Sequence, residues 1–580
     1  MKYGMRRGWQ IGLVGWALGL GVADAQTVVR RIDQPPLAAW HSGAWNSARI
    51  ALNEVTSQLP AGVAPGEAAL HITATFSGKG FQFFGVNPAL TSMPGRLQKV
   101  SLQAKGGKKG CSLALTFKDA QGRTEVDGRK LEYGLKVVPG QWTALTFTVP
   151  DDWEQPVQLT GLSGHNWGAQ KEAGTADWWV QGVTVETDLA GEDDPAQLLR
   201  ASITGSGIRN VFVDGEPVRF QINLDSWLGH PVTGAVSVAV TDFSSQVLTQ
   251  FTRRVICDGM SVEPIDLQLP AYGLYQVNLN LDLAGRTIKE SSQLAFVPAP
   301  TPLSQKEKMA SPYGLVIHGG GTPSYAAMAR LGTVWIRDYA YSWSWMARAR
   351  GENGRYEGWP WYPKMDEQIQ KAGLMLLPCL QDSMKGTVGK GGPLTPDAAW
   401  RRQLVDILRA FPQYVAWEID NEYDLHFKKE EAARDWSSYK SYHQTFAQGV
   451  KFMNEDLLTV EQGSAGVFPD RIRMLIASGA FDQIDVVNAH FYCGTTAPEL
   501  SARNANTGGD RDDSALISDL LRDLALAADS DGRDRQTWIT EFGWDTLAGH
   551  IVTEAEQAAF LQRGWMVGLQ AGMDKMFWYW

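Results

Sequence analysis

The chain has 580 residues, 44% apolar and 20% charged, with a formal net charge of −10. At roughly 100–200 residues per domain, this describes a globular protein of about three or four domains. The acidic balance is spread along the chain without a basic run, which argues against nucleic acid as the main partner. The four cysteines, at 111, 257, 379 and 493, lie far apart with no C-x-x-C. That spacing excludes a disulfide scaffold or zinc ribbon and predicts free, mostly buried thiols. The 23 tryptophans suit core filling, and also the C–H faces of sugar rings.

The chain opens with Lys2, Arg6 and Arg7, then the apolar run "IGLVGWALGLGV", then Ala23-Asp24-Ala25. A positive start, a short apolar stretch and small residues at both peptidase positions predict a signal peptide over residues 1–25. The expected location is secreted or periplasmic, with no membrane association after cleavage. A twin-arginine signal and an uncleaved anchor are the alternatives. Residues 26–187 carry short alternating runs such as "ALHITATFSG", "CSLALTFKDAQG" and "WWVQGVTVETD", separated by Gly, Pro, Asn and Asp. This predicts an all-β sandwich. It resembles the jelly-roll, carbohydrate-binding-like modules that accompany glycosidases. After the polar linker "LAGEDDPAQ", residues 196–298 hold roughly seven alternating strands, as in an immunoglobulin-like sandwich. The Cys…Trp…Cys core is missing, so the likeness is one of architecture, and a spacer role is expected.

From residue 299 to 580 the pattern changes. Eight short apolar runs are "GLVIHGG", "GTVWIRDYA", "GLMLLPCL", "YVAWEIDNE", "LLTVEQG", "DVVNAHFY", "QTWITEFG" and "KMFWYW". Between them lie amphipathic stretches such as "TPDAAWRRQLVDILRAF". Apolar strands interleaved with helices predict a parallel sheet, and eight such units predict a (β/α)8 TIM barrel. A doubly wound sheet is the alternative, but no Gly-rich phosphate fingerprint follows the first strand. The sequence stops at Trp580, directly after the eighth strand, so the barrel is expected to be truncated there.

Active sites of such barrels sit at the C-terminal strand ends. There the chain places His318, Arg337-Asp338, Asn421-Glu422, His490 and Tyr492, Glu541, and Trp578 to Trp580. Two carboxylates across a sugar-sized cleft are the equipment for glycoside hydrolysis, and here the pair is Glu422 and Glu541. Each residue also has a plain structural reading. A lone Glu after a strand is usually a solvated acid. Arg337 could close a salt bridge inside the barrel, and His318 and His490 could be satisfied rim histidines. Asp338, Glu418, Asp420, Asp424 and Asp545 are read as supporting or solvated. Trp343, Trp345, Trp359 and Trp361 follow the second strand, where stacking on sugar and packing in a loop are equally open. No metal signature such as H-E-x-x-H occurs, and no metal or cofactor is expected.

"IDNE" closing the fourth strand and "ITEFGW" closing the seventh resemble the acid/base and nucleophile motifs of clan GH-A glycoside hydrolases. The resemblance implies Glu422 as acid/base, Asn421 as the ligand of the sugar 2-hydroxyl, and Glu541 as nucleophile. It further matches Arg337 to the clan's strand-two Arg, His490 and Tyr492 to its strand-six His-x-Tyr, and Trp578 to the Trp that floors the sugar subsite. "LGTVWIRDYAYSWSW" and the final segment look most like the β-xylosidase, α-iduronidase and exopolysaccharide-hydrolase branch. The implied activity is retaining hydrolysis of a poly- or oligosaccharide, with carboxyls roughly 5–5.5 Å apart. A non-catalytic carbohydrate-binding protein on a glycosidase-like barrel is the second reading, and a polysaccharide lyase the third.

Overall fold

The computed structural model describes residues 27–33, 40–45, 49–60, 67–77, 83–88, 93–106, 112–126, 129–165, 173–190, 198–318, 322–339, 361–381, 396–426, 437–500, 516–546 and 552–579. The expected signal peptide, Cys111, Trp343, Trp345 and Trp359 lie outside them. Among the described residues Cys257, Cys379 and Cys493 are free and buried. Among the same residues, no helix is long and apolar enough to cross a membrane.

Two antiparallel sheets form the first module. One runs Thr143–Thr148, Arg96–Gly106, Ala173–Asp188, Ala69–Ser77, Arg49–Val55, with Thr27–Arg31 also on Ala173–Asp188. The other runs Glu132–Leu135, Ser112–Lys118, Gln158–His165, Phe83–Pro88, Trp40–Trp45. Period-two burial sends Val100, Leu102 and Ala104 of one sheet toward Leu113, Leu115 and Phe117 of the other, in one shared core. The next module repeats the plan with a three-stranded and a five-stranded sheet around Phe220, Ile222, Val238 and Val277.

The seams between modules are charged. Trp227, at the end of a second-module strand, is buried in the first module's core, with the Arg30 guanidinium 4.3 Å over its ring. Arg30 also pairs with Asp225. Across the next seam Arg330 grips Glu216 with two bonds, of 2.6 and 2.8 Å, a fork-to-fork geometry that fixes orientation as well as distance.

The third module is a single eight-stranded parallel sheet. Numbering its strands alone, they are β1 (Tyr313–Ile317), β2 (Trp335–Asp338), β3 (Met375–Pro378), β4 (Ala416–Glu418), β5 (Leu458–Val460), β6 (Val486–Phe491), β7 (Gln536–Phe542) and β8 (Lys575–Trp578). They neighbour one another in sequence order, and β8 returns to β1. The ring closes between β3 and β4, where the Leu380 N–H donates to the Glu418 carbonyl at 3.0 Å. The helices in chain order are α1 (Gln305–Ala310), α2 (Thr322–Arg330), α3 (Trp361–Lys371), α4 (Ala398–Ala410), α5 (Ser437–Met453), α6 (Pro469–Ala477), α7 (Ile517–Ala528) and α8 (Glu554–Gln570). Helix α4 buries Trp400, Leu404, Ile407 and Leu408, the i, i+4, i+7, i+8 stripe of a helix lying on a sheet.

Alternation along the strands sorts side chains into two cores. Val316, Trp335, Leu377, Ala416, Val460, Val486, Trp538 and Phe577 fill the barrel. Ile317, Ile336, Leu376, Trp417, Val487, Ile539 and Met576 face the helices. Helix α1 closes the bottom: its Lys308 carbonyl accepts from the Trp335 indole at 2.8 Å. Lys575 lies 5.0 and 5.3 Å from the rings of Trp335 and Trp538 and donates to the Met309 and Ser311 carbonyls. Burial, partly offset by Asp574, pushes the Lys575 ammonium down to about 8.

A Cβ added at Gly314 would lie 2.4 Å from the Phe577 ring inside this filled core. Overpacking of this kind typically costs about 1–3 kcal/mol. Gly314→Ala is therefore expected to lower the barrel's calorimetric unfolding transition while leaving the transitions of the two β modules in place.

Candidate active site

Above the apolar filling the barrel interior turns polar. Arg337, at the tip of β2, is fully buried. Its guanidinium grips Glu418 of β4 through Nε at 2.5 Å and Nη2 at 3.0 Å. Nη1 donates to Glu541 of β7 at 2.7 Å, and Nη2 to the Asn421 side-chain oxygen at 2.8 Å. Glu418 also accepts from Asn488 at 2.8 Å and from Thr540 at 3.1 Å. One guanidinium thus serves two buried carboxylates and an amide. Ionised groups are stable this far from water only when so fully paired.

Simple alternation on β7 would put Trp538 and Thr540 inside and Glu541 outside. The register with β6 shows otherwise: Ala489 faces Ile539, His490 faces Glu541, and Thr540 is skipped. This bulge re-aims Glu541, so that both Thr540 and Glu541 reach the barrel interior. Tyr492 donates to Glu541 Oε2 at 2.5 Å, and Tyr339 donates to Oε1. Burial alone would raise the Glu541 carboxyl. His490, Arg337 and the two tyrosine bonds outweigh it and bring the group down to about 2.

Glu422 is held differently. Strand β4 ends at Glu418, earlier than the sequence suggests, and Asp420 and Glu422 both take left-handed backbone angles, with φ of 59° and 46°. Such a conformation costs a non-glycine residue on the order of 1–3 kcal/mol. Neighbours enforce it. Tyr442 donates to Asp420 at 2.9 Å, and the Glu422 N–H meets the carbonyls of Gln462 and Gly463 at 3.3 and 3.2 Å. The Glu422 carboxyl is part-exposed and lies 2.8 Å from His490 Nδ1. His490 Nε2 lies 3.0 Å from the Thr540 hydroxyl. Burial opposes a charge on His490, but Glu541 and Glu422 prevail over it and over Arg337, and its pKa is raised.

Seven of the eight residues singled out from sequence gather at this end of the barrel. Arg337 carries both of its readings at once, closing a barrel salt bridge with Glu418 and pairing with Glu541. Asn421 accepts from Arg337 and Tyr339 through its side-chain oxygen, so its NH2 is the group that can donate elsewhere. His318 stacks on Tyr339 with ring centroids 4.8 Å apart and lies 3.1 Å from the Tyr579 hydroxyl. Burial lowers its pKa.

Trp578 requires correction as a sugar floor. It is 6% exposed and packs in the outer core against Phe542 and Trp544. Alternation gives the reason: with Phe577 inside, Trp578 faces the helices and Tyr579 returns to the rim. Asp338 and Asp420 are buried rather than solvated, and Asp424 is paired with Arg471 at 2.6 Å. Tyr339, Asn488, Thr540 and Tyr579 complete the site and escape a reading by strand ends. Tyr339 and Asn488 each lie two residues from a recognised group, the spacing that shares a face.

One ligand atom each from Glu422, His490 and Glu541 lie within 4.8 Å of one another, close enough to surround a cation. Both Glu541 oxygens already accept hydrogen bonds, however, and the Arg337 charge is adjacent, so the site repels a second cation.

No protein-family model matches this chain, and no curated protein does. Solved structures similar to it include Bacteroides uniformis β-glucuronidase, at 10% identity and a TM-score of 0.31, covering 96% of this chain and 65% of that one. Others are a GH5 xyloglucanase of Bacteroides ovatus, at 13% identity, TM-score 0.33, covering 65% and 93%, and a GH5-4 broad specificity endoglucanase from Clostridium acetobutylicum, at 11% identity, TM-score 0.33, covering 48% and 90%. The chain thus spans 65% of the length of the β-glucuronidase.

Because the folded Glu541 value of about 2 lies below the ordinary 4.5, its contribution to stability is complete above about pH 4.5 and is lost as pH falls toward 2. Chemical denaturation across that window should show a decline in wild type. Glu541→Gln, which cannot ionise, should flatten it.

Proposed function

We propose that the chain is an exported retaining glycoside hydrolase, cleaving O-glycosidic bonds of an oligo- or polysaccharide by double displacement. One observation carries this reading. Two carboxyl groups approach within 4.8 Å, oxygen to oxygen, in unlike surroundings. Retaining pairs stand about 5–5.5 Å apart, and inverting pairs about 6.5–9.5 Å to admit a water.

The roles follow from the partners. Glu541, held as a carboxylate by Arg337, Tyr339 and Tyr492, is the nucleophile. Glu422, part-exposed and facing the same His490 nitrogen as Glu541, at 2.8 Å against 3.7 Å, is the acid. In the first step Glu541 attacks the anomeric carbon. The bond to the leaving oxygen breaks, its electron pair stays with that oxygen, and Glu422 delivers the proton. In the second step Glu422 takes a proton from water, whose oxygen attacks the anomeric carbon and releases Glu541. Asn421, fixed through its oxygen, offers its NH2 to the neighbouring sugar hydroxyl. The first module is read as carbohydrate-binding-like and the second as a spacer.

A panel of aryl glycosides tests the activity, with the first-formed anomer read by proton NMR. Retention of configuration is expected, and an inverted product would sink the assignment. Glu541→Ala should abolish turnover. Glu422→Ala should cost about 10²–10⁴-fold in kcat/KM on poor leaving groups while sparing kcat/KM on dinitrophenyl glycosides, which leave without a proton; kcat on the latter should still fall, because the attacking water has lost its base. Binding without turnover would favour the non-catalytic reading, and unsaturated products would favour a lyase. Export is tested separately. The mature protein from a secreting host should begin at Gln26, and an intact N-terminus by mass spectrometry would refute cleavage.

A further inference from the structure

Glu461 follows β5 and is fully buried, yet it takes no part in the cleft. Its side chain meets helix α5, where the Tyr439 hydroxyl donates to Oε1 at 2.8 Å. Its Oε2 accepts the Gly463 N–H at 3.3 Å. The same Tyr439 oxygen accepts from the Gln462 amide. Glu461 therefore ties down both following residues, Gly463 directly and Gln462 through Tyr439.

Those two residues support the proposed acid. Their carbonyls are the acceptors of the Glu422 N–H, at 3.3 and 3.2 Å. Gly463 also lies directly against the imidazole that contacts the Glu422 carboxyl: a Cβ there would fall 2.3 Å from His490 Nε2. Glu422 keeps a left-handed backbone that few residues tolerate, so it stays in place only while its neighbours do.

We propose that Glu461 is a positioning residue for Glu422: its buried carboxyl locks the tip of β5, which sets both the backbone and the imidazole partner of the acid. This rests on the hydrolase reading above. The groups around Glu461 suit an uncharged acid. Burial, helped by Asp424, raises its carboxyl to about 8, against the bonds from Tyr439 and Gly463 and the charge of Arg471. Asp424 and Arg471 face it already paired with each other. Glutamine is the neutral isostere: its oxygen can accept from the Gly463 N–H while its NH2 donates to the Tyr439 oxygen, a hydroxyl that can take either role.

The experiment compares wild type, Glu461→Ala, Glu461→Gln and Tyr439→Phe, all as the full chain, on two aryl glycosides of one sugar. A methoxyphenyl leaving group needs the proton from Glu422, and a dinitrophenyl group does not. Glu461→Ala is expected to lower kcat/KM on the methoxyphenyl glycoside by about tenfold or more, with roughly twofold change or less on the dinitrophenyl one. Glu461→Gln should restore the former. Tyr439→Phe, which keeps the carboxyl and cuts the link to Gln462, should repeat the selective loss, and it stands in if Glu461→Ala does not fold. Equal loss on both glycosides, or none on either, in the folded variants would overturn the positioning role alone. No turnover by wild type would overturn the hydrolase reading, and this one with it.

Discussion

The buried guanidinium of Arg337 is the interaction on which the barrel's upper half depends. Removing such an ion from water costs several kcal/mol, and one carboxylate alone would return little of it. Here the cation sits between Glu418 and Glu541, with Asn421 sharing Nη2 with Glu418. Strands β2, β4 and β7 are thereby fixed relative to one another by charge and by the planar fork of a single side chain. Substituting lysine would keep the charge and lose the geometry.

From that hub the site acquires its asymmetry. Glu541 shares the guanidinium and receives two tyrosine hydroxyls, so its charge is satisfied before any ligand arrives. Glu422 shares the His490 Nδ1 edge with Glu541 but makes no bond to the guanidinium among the described contacts, and it is the more exposed of the two. Two identical side chains therefore sit in unlike electrostatic surroundings. The difference is built from β6, which supplies the imidazole, from Tyr492 just beyond its end, and from the bulge that turns Glu541 inward.

Much of this was legible in the sequence, because strand parity and the rule of C-terminal strand ends are enforced by burial. The eight apolar runs became eight strands, and seven nominated side chains meet at one end. The failures are equally physical. Trp578 was assigned by its place at a strand end, where parity, counted from Phe577, turns it outward. Glu541 reaches the barrel interior although strict alternation would turn it outward, since no residue in "ITEFGW" announces a bulge. Glu461 looks like any acid after a strand. Its burial comes from helix α5, and nothing local to "LTVEQG" records that contact.

The left-handed backbone at Glu422 has a consequence for how this sequence can change. Glycine or asparagine would occupy that position with less strain, so the residue that supplies the carboxyl is not the one the fold prefers. Backbone strain and the carboxyl's place beside His490 therefore ask for different residues at position 422. A population selected only for heat resistance would drift toward glycine or asparagine at that position.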